Sequence, residues 1–91
     1  MITQCLLASI SGRVQGVGFR YYTQREARSL GIRGWVENRP DGSVAACICG
    51  SPEQIKLMQA WLRHGPDGAT VDQVSFSDTH LPEAHQDFLI R

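Results

Sequence analysis

A short segment of the chain combines glycine and arginine in a pattern that could bind an anion. Three glycines, Gly12, Gly16 and Gly18, lie in the nine residues that end at Arg20. Glycine lets consecutive backbone N–H groups turn inward as an anion-binding nest, and a helix predicted to follow would add unpaired N–H groups and the positive end of its dipole. The segment therefore predicts a phosphate or carboxylate site, although glycines alone equally indicate a tight turn. Its spacing matches neither a nucleotide P-loop nor a dinucleotide-binding fingerprint.

Two polar side chains favour an anion site over a bare turn. Arg20 offers a planar, bidentate guanidinium to phosphate oxygens, where the alternative is an ordinary solvated arginine. Asn38 ends a predicted strand, where its amide could position a water molecule; the alternative is an asparagine that starts the turn at residues 39–42. Because Asn38 follows Val36 on the face assigned to the core, we expect its amide to have hydrogen-bond partners. Arg13, a second cation on the loop, is expected to support the structure.

The rest of the pattern predicts short strands and two helices. Alternating apolar residues indicate strands, and apolar residues at helical spacing indicate helices. The second helix is predicted to start at Ser51 with a proline and a capping box, and to end at Gly65. The predicted strands are Gln4–Ser11, Ile32–Asn38, Ser43–Cys49, Val71–Ser77 and a short Asp87–Arg91, the first helix is Arg20–Leu30, and a glycine-rich loop spans Gly12–Phe19.

This order of elements is βαββαβ with an additional C-terminal strand. It predicts an α+β, ferredoxin-like two-layer sandwich, in which two helices cover one face of a mostly antiparallel sheet. In this split βαβ arrangement the first two strands are parallel and the third lies between them, so their carboxyl ends share one edge of the sheet. We therefore expect the glycine-rich loop and Asn38 to lie side by side, about 10 Å apart at the backbone, from two strand spacings of about 4.8 Å.

Two blocks of sequence resemble a known family. Residues 11–20, SGRVQGVGFR, resemble the signature of the acylphosphatases, and residues 34–38, GWVEN, with 41–44, DGSV, resemble its second conserved block. The resemblance extends over essentially the whole chain. It implies hydrolysis of acyl phosphates to a carboxylate and phosphate, with no metal and no cofactor.

The resemblance also implies roles for individual residues. Arg20 would bind the phosphate and Asn38 would orient the attacking water. The carboxylate of the last residue, Arg91, would hold Arg20 when no ligand is bound. The phosphate cradle would consist of the backbone amides of Gln15, Gly16, Val17, Gly18, Phe19 and Arg20.

Composition narrows the class of protein. The 91 residues suffice for one domain, 1–91, and the nine basic and nine acidic residues give no net charge. A neutral chain lacks the electrostatic footprint of a nucleic-acid binder or a membrane-surface protein. We find no signal peptide and no membrane-spanning stretch in the sequence. A free-standing cytoplasmic monomer is the simplest expectation. Small acyl phosphates and phosphorylated protein carboxylates both remain open as its substrates.

The cysteines and histidines are not expected to carry the chemistry. An odd number of cysteines, three, without an export signal favours free thiols. Cys5 and Cys49 would nevertheless lie on neighbouring strands, on the sheet face without helices, where a disulfide is geometrically feasible; Cys47 is a less favoured partner. A Cys-x-Cys pair alone does not make a zinc site. Catalytic roles are rejected for His64, His80 and His85, and Trp35 and Trp61 are interpreted as packing residues.

Three other functions remain open at this point. An RNA-binding domain would have the same element order, but such domains place aromatic residues on the third strand, and residues 43–49 contain none. A phosphate- or carbamoyl-phosphate-handling module would normally be joined to a larger maturation enzyme. An anion-binding protein without turnover would use the same residues as the enzyme.

Overall fold

The predicted order of elements is confirmed by a computed structural model, which describes residues 3–81 and 86–91. The described elements are β1 (Gln4–Arg13), α1 (Phe19–Leu30), β2 (Arg33–Asn38), β3 (Val44–Gly50), α2 (Pro52–His64), β4 (Thr70–Asp78) and β5 (Phe88–Ile90). Apart from the junction of β1 and α1, the ends of the predicted strands agree with these bounds to within one residue.

The strands form one sheet in the order β4-β1-β3-β2-β5. β3 is antiparallel to both β1 and β2, so β1 and β2 are parallel to each other on either side of it. β4 is antiparallel to β1, and β5 adds a parallel edge strand beside β2. The α+β, ferredoxin-like two-layer fold is therefore confirmed. It brings the carboxyl ends of β1 and β2 to the same edge of the sheet.

The two helices pack on the sheet through narrow apolar stripes. Phe19, Thr23 and Ala27 are the buried residues of α1, and Ile55, Met58 and Leu62 are those of α2. They meet alternate residues of the strands in one core that also contains Ile10, Val36 and Phe88. Full burial of a side chain as large as Leu or Phe contributes about 1.5–3 kcal/mol. This core fixes the start of α1 above the sheet, next to the loop that follows β1.

The first strand is longer than predicted, and the glycine-rich loop is shorter. β1 continues through Gly12 and Arg13, which pair with β4 after a shift in register. This shift is a β-bulge, and φ at Gly12 is +127°, where an added Cβ would collide with the Thr70 carbonyl. The loop therefore comprises residues 14–18, and α1 begins at Phe19, one residue earlier than predicted.

Two cysteines are joined on the sheet face that carries no helix. Cys5 and Cys49 lie directly opposite each other in the β1–β3 register, with Cα atoms 4.1 Å apart, and form a disulfide. Cys47 is free and buried, and it packs with Leu81 and Trp35 in a small second cluster. The structure thus differs from the expectation of three free thiols, because antiparallel pairing brings the side chains of opposite residues close together.

Among the described residues, no helix is long and apolar enough to cross a membrane.

Candidate active site

The loop between β1 and α1 turns through two glycines with left-handed backbone conformations. The φ angle is +76° at Gly16 and +78° at Gly18, values that other residues adopt only with strain. An added Cβ at Gly16 would meet nothing within 4 Å, so backbone conformation, not space, requires glycine there. Val14 is buried and anchors the start of the loop in the core. Left-handed residues that alternate with ordinary ones turn successive backbone N–H groups toward a common point.

Gly18 is also the N-cap of α1, and it supplies no side chain to cap the helix. The N–H of Tyr22 donates to the Gly18 carbonyl at 3.1 Å, so the N–H groups before it in the first turn have no partner within the helix. In this fully described helix, no acidic residue lies in the first turn. The start of α1 therefore presents donors and the positive end of its dipole to the loop, which favours a bound anion.

The side chain of Gln15 ties the loop to the neighbouring β2–β3 turn. Its Nε2 donates to the backbone carbonyl of Arg39 at 2.7 Å and to that of Ser43 at 2.8 Å. The sequence predicted only a backbone role for Gln15. A partner 24 or 28 residues away leaves no local pattern, so the sequence carries no signal for this bridge. The bridge fixes the loop relative to the end of β2.

The β2–β3 turn follows directly after Asn38 and is internally hydrogen-bonded. The Oδ1 of Asp41 accepts hydrogen bonds from the Ser43 backbone N–H at 2.9 Å and from its hydroxyl at 2.6 Å. These bonds to the ionised carboxylate lower the pKa of Asp41 below its usual value. The turn closes with the Arg39 N–H donating to the Ser43 carbonyl at 2.9 Å. Asn38 therefore projects from a well-defined strand end.

Asn38 differs from its predicted environment. We expected its amide to be hydrogen-bonded on the core face, but Asn38 is exposed, and its side chain forms no hydrogen bond with any described residue. The reason is its position at the last residue of β2, beyond the point where the helices cover the sheet. Water can satisfy an exposed amide. Asn38 therefore has both its donor and its acceptor available to a ligand or a water molecule.

The side chain of Arg20 extends from the first turn of α1 toward Arg91, the residue after β5. Its Nη1 donates to the backbone oxygen of Arg91 at 3.2 Å, so Arg91 lies next to Arg20 as the family resemblance implied. Arg91 is itself anchored: its N–H donates to the Val36 carbonyl at 2.8 Å, its Nε lies 3.4 Å from Glu37, and its guanidinium lies 4.3 Å from the centroid of the Trp35 ring.

These elements surround one cavity at the edge of the sheet. Its volume is about 220 Å³. The topology correctly predicted that Arg20 and Asn38 would meet here with Gly16, Gly18 and Phe19 of the loop, whereas Gln15 and Val17 do not line the cavity. Arg20 is the one charged side chain among the described lining residues. The lining consists of Val14, Gly16, Gly18, Phe19, Arg20, Tyr21, Asn38 and Ile90.

A second, larger groove lies between α1 and the end of α2. Its volume is about 480 Å³, and its lining includes Arg25 and His64 but also Glu26 and Asp67. Because side chains of both signs surround it, this groove has no net preference for an anion. We therefore place the candidate active site at the smaller cavity.

His64 and His80 lie away from the smaller cavity. His64 is the last residue of α2, and His80 is exposed after β4. His85 lies outside the described residues. Over residues 3–81 and 86–91, no group of three His, Cys, Asp or Glu side chains is placed to hold a metal ion. Both tryptophans pack against apolar residues, Trp61 against the main core and Trp35 against the cysteine cluster, as predicted.

Comparison with known proteins decides the family. The family model described as acylphosphatase matches residues 7–90. The chain belongs to the acylphosphatase family. A curated acylphosphatase from Burkholderia vietnamiensis is 52% identical over 79 residues, which cover 87% of this chain and 81% of the relative. The family's hydrolysis of the carboxyl–phosphate anhydride is accordingly the activity of this chain.

Solved acylphosphatase structures share the whole fold. The enzyme from Coxiella burnetii superposes with a TM-score of 0.91 at 34% identity, covering 98% of this chain and 93% of that one. The enzyme from Bacillus subtilis superposes with a TM-score of 0.91 at 32% identity, covering 99% of each chain. The two-layer sandwich of this chain is thus the acylphosphatase fold.

Proposed function

We propose that the loop and Arg20 bind the phosphoryl group of an acyl phosphate, and that Asn38 orients the water that attacks it. The observation that carries this proposal is the single cavity lined by Arg20, Asn38, Gly16 and Gly18. The cavity joins three things that phosphoryl transfer requires: backbone donors for the phosphate oxygens, a cation, and a polar group that can position a nucleophile.

Binding of the phosphoryl group rests on the loop and the helix start. The cradle that we propose consists of the backbone amides of residues 15–20, of which Gly16, Gly18, Phe19 and Arg20 line the cavity. The unpaired N–H groups at the start of α1 complete it. Arg20 adds a planar fork that matches two phosphate oxygens. In the structure this fork donates a single hydrogen bond of 3.2 Å to the Arg91 backbone oxygen. A phosphoryl group offers the guanidinium several acceptor oxygens at once, so it displaces that contact.

The chemical step is attack of water on phosphorus. The new bond joins the water oxygen to phosphorus, the bond between phosphorus and the bridging oxygen breaks, and the acyl group leaves as a carboxylate with the bonding electron pair. One proton of the water stays on the attacking oxygen, and the other passes to another oxygen of the product phosphate. A carboxylate leaves readily without protonation, so the reaction needs no general acid. The cradle amides and Arg20 stabilise the equatorial oxygens as charge redistributes.

Asn38 is suited to hold the water because no side chain or backbone group of residues 3–81 and 86–91 forms a hydrogen bond with its side-chain amide. Its carbonyl oxygen accepts a hydrogen bond from the water and so directs an oxygen lone pair toward phosphorus. The β2–β3 turn and the Gln15 bridge hold the strand end that carries Asn38. Asn38 would lower the reaction barrier because the bound water has already lost its freedom to move and is aligned with phosphorus. Asn38 itself would transfer no proton.

The wider setting that we propose is simple. The chain acts as a monomeric, cytoplasmic enzyme of one domain, residues 1–91, on small acyl phosphates, with no metal, no cofactor and no nucleic acid. The charge balance supports the absence of nucleic acid. The sheet face that RNA-binding domains use also argues against RNA, since its Trp35 ring is covered by the Arg91 guanidinium.

Hydrolysis of benzoyl phosphate tests the assignment. The assay uses purified protein with chelator and no added metal, and compares the wild type with Arg20→Gln and Asn38→Ala. We expect Arg20→Gln to weaken inhibition by inorganic phosphate and to lower kcat/KM by about 10²-fold or more, by analogy with removal of one oxyanion donor. Asn38→Ala should lower kcat by a similar factor while phosphate still binds. Arg25→Gln, an exposed arginine of the same helix, is the matched control.

Two outcomes would contradict the proposal. If the wild type binds phosphate but hydrolyses no acyl phosphate, the chain is an anion-binding module on this fold. If the wild type is active and both variants keep full activity while folded by circular dichroism, the residue roles are wrong although the activity stands.

A further inference from the structure

Two large apolar side chains stand at the mouth of the cavity. Tyr21 is 57% exposed and Ile90 is 41% exposed, and both line the cavity together with Arg20 and Asn38. Neither belongs to the buried core cluster. Their position at the active site therefore calls for a ligand group that is apolar.

Strand alternation explains why Ile90 faces the cavity. Phe88 of β5 is fully buried in the core, and Ile90 points to the same side of the sheet, two residues further along. Ile90 pairs with Val36, two residues before Asn38. It thus occupies a core-facing position at the end of a short strand, where it borders the site instead of the core.

The ring of Tyr21 packs against Tyr22, which lies next to the phosphate loop. Tyr21 packs edge-on against Tyr22, with ring centroids 5.1 Å apart and an interplanar angle of 79°. The Tyr22 ring in turn stands against Gly18, where an added Cβ would lie 3.3 Å from the Tyr22 Cε2. Edge-to-face aromatic pairs have a preferred geometry. The Tyr21 ring is therefore oriented relative to the loop that receives the phosphoryl group.

We propose that Tyr21 and Ile90 form the subsite for the acyl group and that these two side chains determine how strongly the enzyme favours an apolar acyl group. This inference rests on the proposed function, which places the phosphoryl group in the cradle. The acyl group is attached to that phosphoryl group and must leave the cradle through the cavity mouth. There it meets the phenol ring of Tyr21 and the aliphatic side chain of Ile90. A charged acyl group would find no opposite charge among the described lining residues except Arg20, which is engaged with phosphate.

The size of the expected effect follows from how strongly apolar pockets discriminate between substrates that differ in an apolar group. One methylene group in an enclosed apolar pocket changes kcat/KM by roughly 10- to 200-fold. Because this subsite is open to solvent, we expect each side chain to contribute at the lower end, about tenfold for Tyr21 and about threefold to tenfold for the smaller Ile90.

The test compares kcat/KM for benzoyl phosphate with kcat/KM for acetyl phosphate in Tyr21→Ala and Ile90→Asn. Each ratio is divided by the wild-type ratio, which removes the difference in intrinsic reactivity between the two anhydrides. The matched controls are Leu57→Ala, which is 57% exposed on α2, and Leu89→Asn, which is 43% exposed on the opposite face of β5. We expect the ratio to fall about tenfold in Tyr21→Ala and to stay within about twofold of wild type in both controls.

Failure of this inference is distinct from failure of the proposed function. Turnover of both substrates with an unchanged ratio in Tyr21→Ala and Ile90→Asn would refute the acyl subsite and leave the proposed function intact. Absence of turnover of either substrate by the wild type would overturn the proposed function and the subsite with it. Should Ile90→Asn disturb β5, Tyr21→Ala decides alone, because Tyr21 is an exposed helix residue.

Discussion

Replacing Gln15 tests whether its side chain holds the phosphate loop in place beside Asn38. Gln15 makes two hydrogen bonds, to the Arg39 and Ser43 carbonyls, at 2.7 and 2.8 Å. A hydrogen bond contributes about 1 kcal/mol net to stability. We therefore expect Gln15→Ala to lower the free energy of unfolding by about 2 kcal/mol. For a domain of this size the change corresponds to a decrease in Tm of about 8–16 °C.

Activity should fall further than stability alone would suggest. The lost bonds connect the loop that binds the phosphoryl group to the turn that follows Asn38, so their loss allows the two halves of the site to move apart. A misplacement of about 1 Å can cost about 10²-fold in rate. We expect a decrease of at least about tenfold in kcat/KM for benzoyl phosphate, measured at a temperature where the variant is fully folded.

The control and the charge variant make this prediction specific. Gln59→Ala replaces a glutamine of similar burial on α2 whose side chain forms no hydrogen bond with any described residue, and it should change stability by less than about 0.5 kcal/mol. Gln15→Glu keeps the shape but replaces the donor with an acceptor facing two carbonyls, so at neutral pH it should lose at least as much as Gln15→Ala. Chemical denaturation that gives Gln15→Ala the stability of wild type would refute the bridging role.

Four further predictions concern the fold and the cysteines. Ser51→Ala should destabilise by about 1 kcal/mol in urea unfolding, because it removes the capping box of α2; a midpoint equal to wild type would contradict it. Gly34→Ala should cost more than about 2 kcal/mol or prevent folding, because φ is +146° and the added Cβ would collide with the Cys47 carbonyl; wild-type thermal stability would contradict it. Thiol titration in denaturant should count one thiol before reduction and three after it, with Cys5 and Cys49 as the pair; three thiols without reductant would contradict the disulfide. In the native protein Cys47 should react slowly at neutral pH, because burial raises the pKa of its thiol; fast labelling would contradict this.

The sequence was sufficient for the fold because its local signals agree with one another. Alternation gave the strands, and Ser51, Pro52 and Gln54 marked the start of α2 without ambiguity. The error at the end of β1 has a clear cause: Gly12 is a glycine inside a strand, opposite a bulge in β4, whereas glycines that follow an alternating apolar pattern predict a loop. The pairing of Gly12 with β4 depends on a contact that is remote in sequence.

The positions of the candidate site residues could be predicted from the sequence where the topology determines them, but not where side-chain packing does. The parallel relation of β1 and β2 was enough to bring Arg20 and Asn38 to one cavity. The exposure of Asn38, the bridge from Gln15 and the positions of Tyr21 and Ile90 depend on where the helices stop covering the sheet. The periodicity of apolar residues does not show where the helices stop covering the sheet, so these features could be seen only in the structure.

The most direct test of the mechanism is the fate of labelled water. Hydrolysis of benzoyl phosphate by the wild type in water enriched in oxygen-18 distinguishes attack on phosphorus from attack on the carbonyl carbon. With the phosphoryl group in the cradle and Asn38 directing the water toward it, the label must appear in the product phosphate, detected by mass spectrometry, and the benzoate must stay unlabelled. Label in the benzoate would mean that water attacks the acyl carbon, and would contradict the roles proposed for the loop, Arg20 and Asn38.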